Sequence, residues 1–202
     1  GAAPLARADG LLWLLPLALV WGMQPGRPRL GLVGLVGGYA AVMAPWWLRN
    51  VAVIGSAFPP GSTHALWLTS YDELFSFPAS ALTPAHLAAS GGAAIARARW
   101  ESLLTNLRSL LVVNGLVYLL PLAGLAAWKI RRAPAVDAGL AYLGVLLGVM
   151  SLVFPFAGAR GGFFHSSAFM MPLLWSLAPI GLSSVIAWAA RRRAWDGNRA
   201  GG

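Results

Sequence analysis

The sequence predicts an all-α fold: a polytopic membrane helix bundle of about five transmembrane helices, with an extracytoplasmic loop that contains an amphipathic interfacial helix. Three observations predict it. Hydrophobic residues make up 58% of the chain and charged residues only 10%, where an ordinary soluble domain carries about 25% charged residues. A soluble fold of this size must cover itself with polar groups, and lipid as solvent removes that requirement. The apolar residues also gather in runs close to the roughly 20 residues that cross a hydrocarbon core. Finally, Lys and Arg cluster in alternate connectors between the runs, the pattern that fixes orientation in a bilayer.

We read the whole chain, 1–202, as a single transmembrane domain. The first span covers about 8–24, centred on Leu11 to Met23. The second, about 30–48, holds no charge. The third runs over about 109–128, interrupted by Asn114 and Pro121. The fourth covers about 138–157, and the fifth about 167–190 within an uncharged stretch that begins at Gly161. Arg27 and Arg29, then Lys129, Arg131 and Arg132, then Arg191, Arg192 and Arg193 fall on one side of such a bundle. That side is expected to be cytoplasmic, with the C-terminus. The chain opens on Gly rather than Met, and its first apolar run has no signal-peptide flanks. A C-terminal fragment of a longer protein is expected.

The long connector, 49–108, is then the extracytoplasmic loop. Trp46, Trp47, Arg49 and Asn50 suit a helix end at the headgroup level. Phe58-Pro59-Pro60-Gly61 must leave helix. Thr83-Pro84 reads as an N-cap followed by proline at the first helical position. Beyond it Trp100, Leu103, Leu104, Leu107, Leu110 and Leu111 share one helical face, while Arg97, Glu101, Thr105 and Arg108 share the other. Arg97 and Glu101 stand one turn apart and can pair. This helix is expected to lie on the outer surface and bend into the third span.

The formal charge of +9 would raise nucleic acid as a partner in a soluble protein. Here the charges set topology and meet anionic head groups, so membrane lipid is the expected partner and nucleic acid is not. No cysteine is present, and the three histidines, His64, His86 and His165, have no metal-ligand spacing. No metal site and no cofactor is expected. Hydrolase, nucleotide-binding and dinucleotide fingerprints are absent from the sequence.

Two segments could carry chemistry. In the outer loop Tyr71, Asp72 and Glu73 interleave an aromatic ring with carboxylates, which suits a sugar by stacking and hydroxyl hydrogen bonds. The alternative is a solvated acidic turn tacked to the bilayer by Tyr71, Phe75 and Phe77. Where the fourth span exits, Arg160, His165 and Ser166 stand among Gly158, Gly161 and Gly162. A cation with hydroxyls and free backbone N–H groups near a helix start is a candidate phosphate site. The alternative is an arginine that snorkels to lipid phosphate. Arg49, at the end of the second span, is a third cation with the same two readings.

Pro45-Trp46-Trp47-Leu48-Arg49-Asn50-Val51-Ala52-Val53-Ile54-Gly55 resembles the P-W-x-x-R-N-x-x-x-x-G stretch of bacterial membrane glycosyltransferases of family 39. These are relatives of the protein O-mannosyltransferases and of the aminoarabinose transferase of lipid A. Ala159 to Ser166 is similar to the late outer loop of a branch of that group, and the resemblance runs in order from about Ala40 to Arg193. It implies the C-terminal half of a GT-C fold in the bacterial cytoplasmic (inner) membrane. It also implies a polyprenyl-phosphate-linked sugar donor and an acidic general base in a first outer loop. No such loop stands in this sequence, so that role is not carried to Asp72 or Glu73. Arg49, Arg160, His165 and Ser166 become candidates for the donor phosphate. Two readings compete with an enzyme: a transporter or flippase-like protein, which should place polar residues mid-span in broken helices, and a non-catalytic membrane scaffold.

Overall fold

A computed structural model describes residues 11–12, 14–23, 26, 29–58, 63–76, 78–131 and 133–193. Among them every regular element is helical: α1 (Leu14–Met23), α2 (Arg29–Ile54), α3 (Pro84–Ala89), α4 (Gly92–Ser109), α5 (Leu119–Lys129), α6 (Pro134–Gly148) and α7 (Met171–Arg193), with shorter helical turns between them.

Among the described residues, three stretches are long and apolar enough to cross a membrane: Leu30–Ile54, Pro134–Val153 and Pro155–Arg193. A fourth counts if α4 with its extension to Asn114 and α5 are taken as one span bent by 93°. Five spans were expected. The first reduces to the ten helical residues of α1, with the rest of 8–24 partly outside the described residues. The third is not continuous, because the chain breaks between Asn114 and Leu119. Leu116 and Val117 take positive φ angles there, 43° and 62°, a backbone state that apolar side chains rarely adopt. The chain bends by 93° between the helix that ends at Asn114 and α5.

Packing follows from small residues. Ala123, Ala126 and Ala127 of α5 are buried against α7. A methyl added to Gly181 would stand 1.9 Å from the Leu122 carbonyl oxygen, so the two backbones approach as closely as glycine permits. Leu110, Tyr142, Leu146, Phe163, Met170, Leu174 and Leu177 fill the core around this contact. Many large apolar side chains point outward, among them Val33, Leu48, Trp128, Phe169 and Trp188. That inverted arrangement is what lipid as solvent asks of a helix bundle.

The ends of the elements obey local rules. Gly55, with φ 71°, closes α2 by donating its N–H to Val51 at 3.0 Å. The helix therefore runs past Leu48 and contains Arg49. Thr83 caps α3 as expected, accepting from the His86 amide at 3.2 Å with Pro84 next to it. Phe154 leaves helix before Pro155, as a residue before proline should.

The side chains of α4 add a third, buried polar line to the two faces of the amphipathic reading. Trp100, Leu107 and Leu111 are exposed, and Ser102 and Asn106 are the buried residues of the helix. A polar seam faces the protein, while the apolar stripe is split, with Leu110 in the core and Trp100, Leu107 and Leu111 outward. Arg97 and Glu101 form no ion pair among the described residues, where His86 and Glu73 form one.

Candidate functional site

Two interruptions position the chemistry-bearing residues. After α6 the chain widens into a π-helical turn, Val149–Val153, and a second one forms at Gly158–Gly162. Such turns free carbonyls and recur at functional sites. Within the second, Arg160 (φ −88°, ψ 23°) and Gly161 (φ 110°, ψ −11°) are not helical at all. A residue with a side chain would be strained at Gly161. The break turns Arg160 out of the helix, exposed, with its guanidinium carbon 5.1 Å from the centre of the Tyr71 ring. Tyr71 in turn meets Phe75 edge to face at 5.6 Å. The structure thus joins the two segments that sequence alone left apart, through a cation–π contact.

The remaining candidates fall differently. Glu73 is nearly buried and fully engaged: the Thr69 hydroxyl donates to one oxygen, the Thr69 amide to the other at 2.7 Å, and His86 Nε2 lies 3.0 Å away. Burial works to raise its pKa, but the Thr69 and His86 interactions outweigh it and hold the carboxyl below its ordinary value. Glu73 therefore fastens the segment around Thr69 to α3. Asp72 is exposed beside Tyr71. His165 is exposed, its ring near Phe164 and lying over Gly161. Ser166 is buried and gives its hydroxyl to the Gly162 carbonyl at 2.8 Å. Arg49 donates to Asn50 at 3.2 Å on α2, a helix that packs chiefly on α1. It is not gathered with Arg160.

The sequence reading missed a seam. Asn106 donates to Ser151 at 3.0 Å and to the Met150 carbonyl at 3.3 Å, and Ser102 reaches the same carbonyl at 3.3 Å. Arg99 donates through Nε to the Leu152 carbonyl at 2.8 Å. Spacing of three and four residues puts Arg99, Ser102 and Asn106 on one line of α4, a signal present in the sequence beside the louder apolar stripe. A second buried group is Asn114, at the bend. Its Oδ1 accepts from Ser167 at 3.3 Å and its backbone carbonyl from Trp175 at 2.9 Å, while its Nδ2 has no partner among the described residues. No group of three or more metal-ligating side chains gathers among the described residues.

No family model, no curated protein and no solved structure matches this chain.

Proposed function

We propose that this chain belongs to a membrane glycosyltransferase that moves a sugar from a polyprenyl-phosphate-linked donor to an acceptor at the extracytoplasmic face, with Arg160 receiving the donor phosphate. The observation that carries the reading is the Arg160 guanidinium held on Tyr71 at a helix break. Stacking leaves the N–H edge of the guanidinium open, and that edge matches a phosphate in two-point geometry. In the reaction the acceptor oxygen bonds to the anomeric carbon, and the carbon–oxygen bond to phosphate breaks. The electron pair leaves with the polyprenyl phosphate, and the acceptor proton passes to a base. A fixed cation at the leaving oxygen stabilises the charge that develops there. Glu73 is committed to Thr69 and His86, so the base is assigned to neither Glu73 nor Asp72. The reading places loop 49–108 outside the bacterial cytoplasmic membrane and the C-terminus inside.

The test is turnover by the intact protein in proteoliposomes supplied with radiolabelled polyprenyl-phosphate sugars. Sugar release or transfer supports the reading, and its absence with every donor from folded protein overturns it. A transporter for a lipid or small solute is the second reading, favoured by Asn114: a buried amide with a free donor where a span is broken. Labelled solute or lipid crossing the bilayer without sugar release would select it.

A further inference from the structure

A second cation stands over a groove that the Arg160 cluster does not use. The groove lies half open between the outer loop and the Phe154–Pro155 break. Leu68, Leu87, Ile95, Val153, Pro155 and Phe156 make its walls apolar, and Arg99 and Thr69 supply polar edges. Arg99 is fixed there, because its Nε donates to the Leu152 carbonyl that the π-helical turn releases. The two terminal nitrogens of that guanidinium have no partner among the described residues. Trp100, the next residue, is exposed and suits the headgroup level.

We propose that this groove seats one hydrocarbon chain of a lipid phosphate drawn from the bilayer, with the phosphate on the terminal nitrogens of Arg99. Apolar walls cover methylenes and exclude water from the chain. A guanidinium already oriented by a carbonyl loses little freedom on meeting an oxyanion, and the resulting hydrogen bonds are charge-assisted. Neither feature alone selects this occupant: a neutral alkane leaves the cation unpaired, and a free phosphate leaves the walls wet. The inference rests on the membrane reading and not on sugar transfer.

The experiment uses the protein in phosphatidylcholine vesicles with palmityl phosphate bearing a photoactivatable diazirine on its chain, and locates the label by peptide mass spectrometry. Labelling should concentrate in 95–98 and 153–156. It should fall about tenfold in Arg99→Gln, since a charged hydrogen bond is lost, and recover in part in Arg99→Lys. Ile95→Trp, which fills the groove and keeps Arg99, should remove the label while circular dichroism stays unchanged. Palmityl alcohol with the same diazirine should label the groove no better than palmityl phosphate labels Arg99→Gln. Excess inorganic phosphate should not compete. Label spread evenly over exposed α2 and α7, equal labelling by the alcohol, or displacement by inorganic phosphate would each overturn the proposal. Groove labelling without any sugar transfer would leave it standing and sink the glycosyltransferase reading alone.

Discussion

Gly158→Ala probes the joint on which the Arg160 cluster hangs. A methyl at Gly158 would stand 1.9 Å from the Met150 carbonyl oxygen and 2.8 Å from its carbon. Both are backbone atoms, so no side chain can swing aside. Restoring ordinary contact parts the two segments by about 1.5 Å, and overpacking of that kind costs about 1–3 kcal/mol. The same carbonyl accepts from Ser102 and Asn106, each at 3.3 Å. These bonds are already long, and such a shift breaks them at about 0.6 kcal/mol each in a membrane setting. The expected loss is about 2–4 kcal/mol. Unfolding in mixed micelles, followed by tryptophan fluorescence, measures it. Gly144→Ala is the control: nothing lies within 4 Å of that position, so alanine should be neutral or stabilise the helix by up to about 1 kcal/mol. A Gly158→Ala protein within about 0.5 kcal/mol of wild type would refute the close backbone approach at this joint.

Three further outcomes are expected. Asn106→Leu should destabilise the bundle by about 1–2 kcal/mol, and a double-mutant cycle with Ser151→Ala should recover a coupling near 0.6 kcal/mol; perfect additivity would remove the seam from the account. The fold holds the Glu73 carboxyl below its ordinary value, so it favours the ionised form. Its contribution to loop stability is present above the usual glutamate pKa of about 4.3 and is lost as pH falls through the depressed value. Hydrogen exchange over 63–90 should rise, relative to its intrinsic rate, on acidification through that window, and Glu73→Gln should abolish the change. Tyr71→Leu should raise the donor KM about two- to fivefold, the worth of an exposed cation–π contact, with Tyr71→Phe near wild type; equal effects of both would mean that stacking is not what holds Arg160.

Composition made the apolar, helical character legible, because several uncharged runs approach the length that crosses a hydrocarbon core. The Thr83-Pro84 helix start was legible for the same kind of local reason. The break at 115–118 was not. Leu116 and Val117 favour regular structure, and nothing in their side chains announces the positive φ angles they take. The buried seam was hidden because Ser102 and Asn106 lie among leucines whose stripe dominates the pattern; which stripe turns inward depends on the partner, here the freed carbonyl of Met150. For the candidate site, the sequence located both Arg160 and Tyr71 but could not join them, since 89 positions separate two segments whose approach is set by the break at Gly161. Glu73 reads either as a sugar-binding carboxylate or as part of a solvated turn, and its engagement by Thr69 and His86 is not visible in the sequence. The hydrogen bond from the Ser166 hydroxyl to the Gly162 carbonyl is likewise not visible in the sequence.

The most direct measurement is the rate of sugar transfer from a polyprenyl-phosphate donor by the intact protein with Arg160→Ala beside wild type, both checked for fold by circular dichroism. Loss of a charged hydrogen bond to the donor phosphate, worth about 1.5–3 kcal/mol, predicts that kcat/KM falls about 10- to 150-fold, with partial recovery in Arg160→Lys. Transfer at the wild-type rate by folded Arg160→Ala would contradict the account.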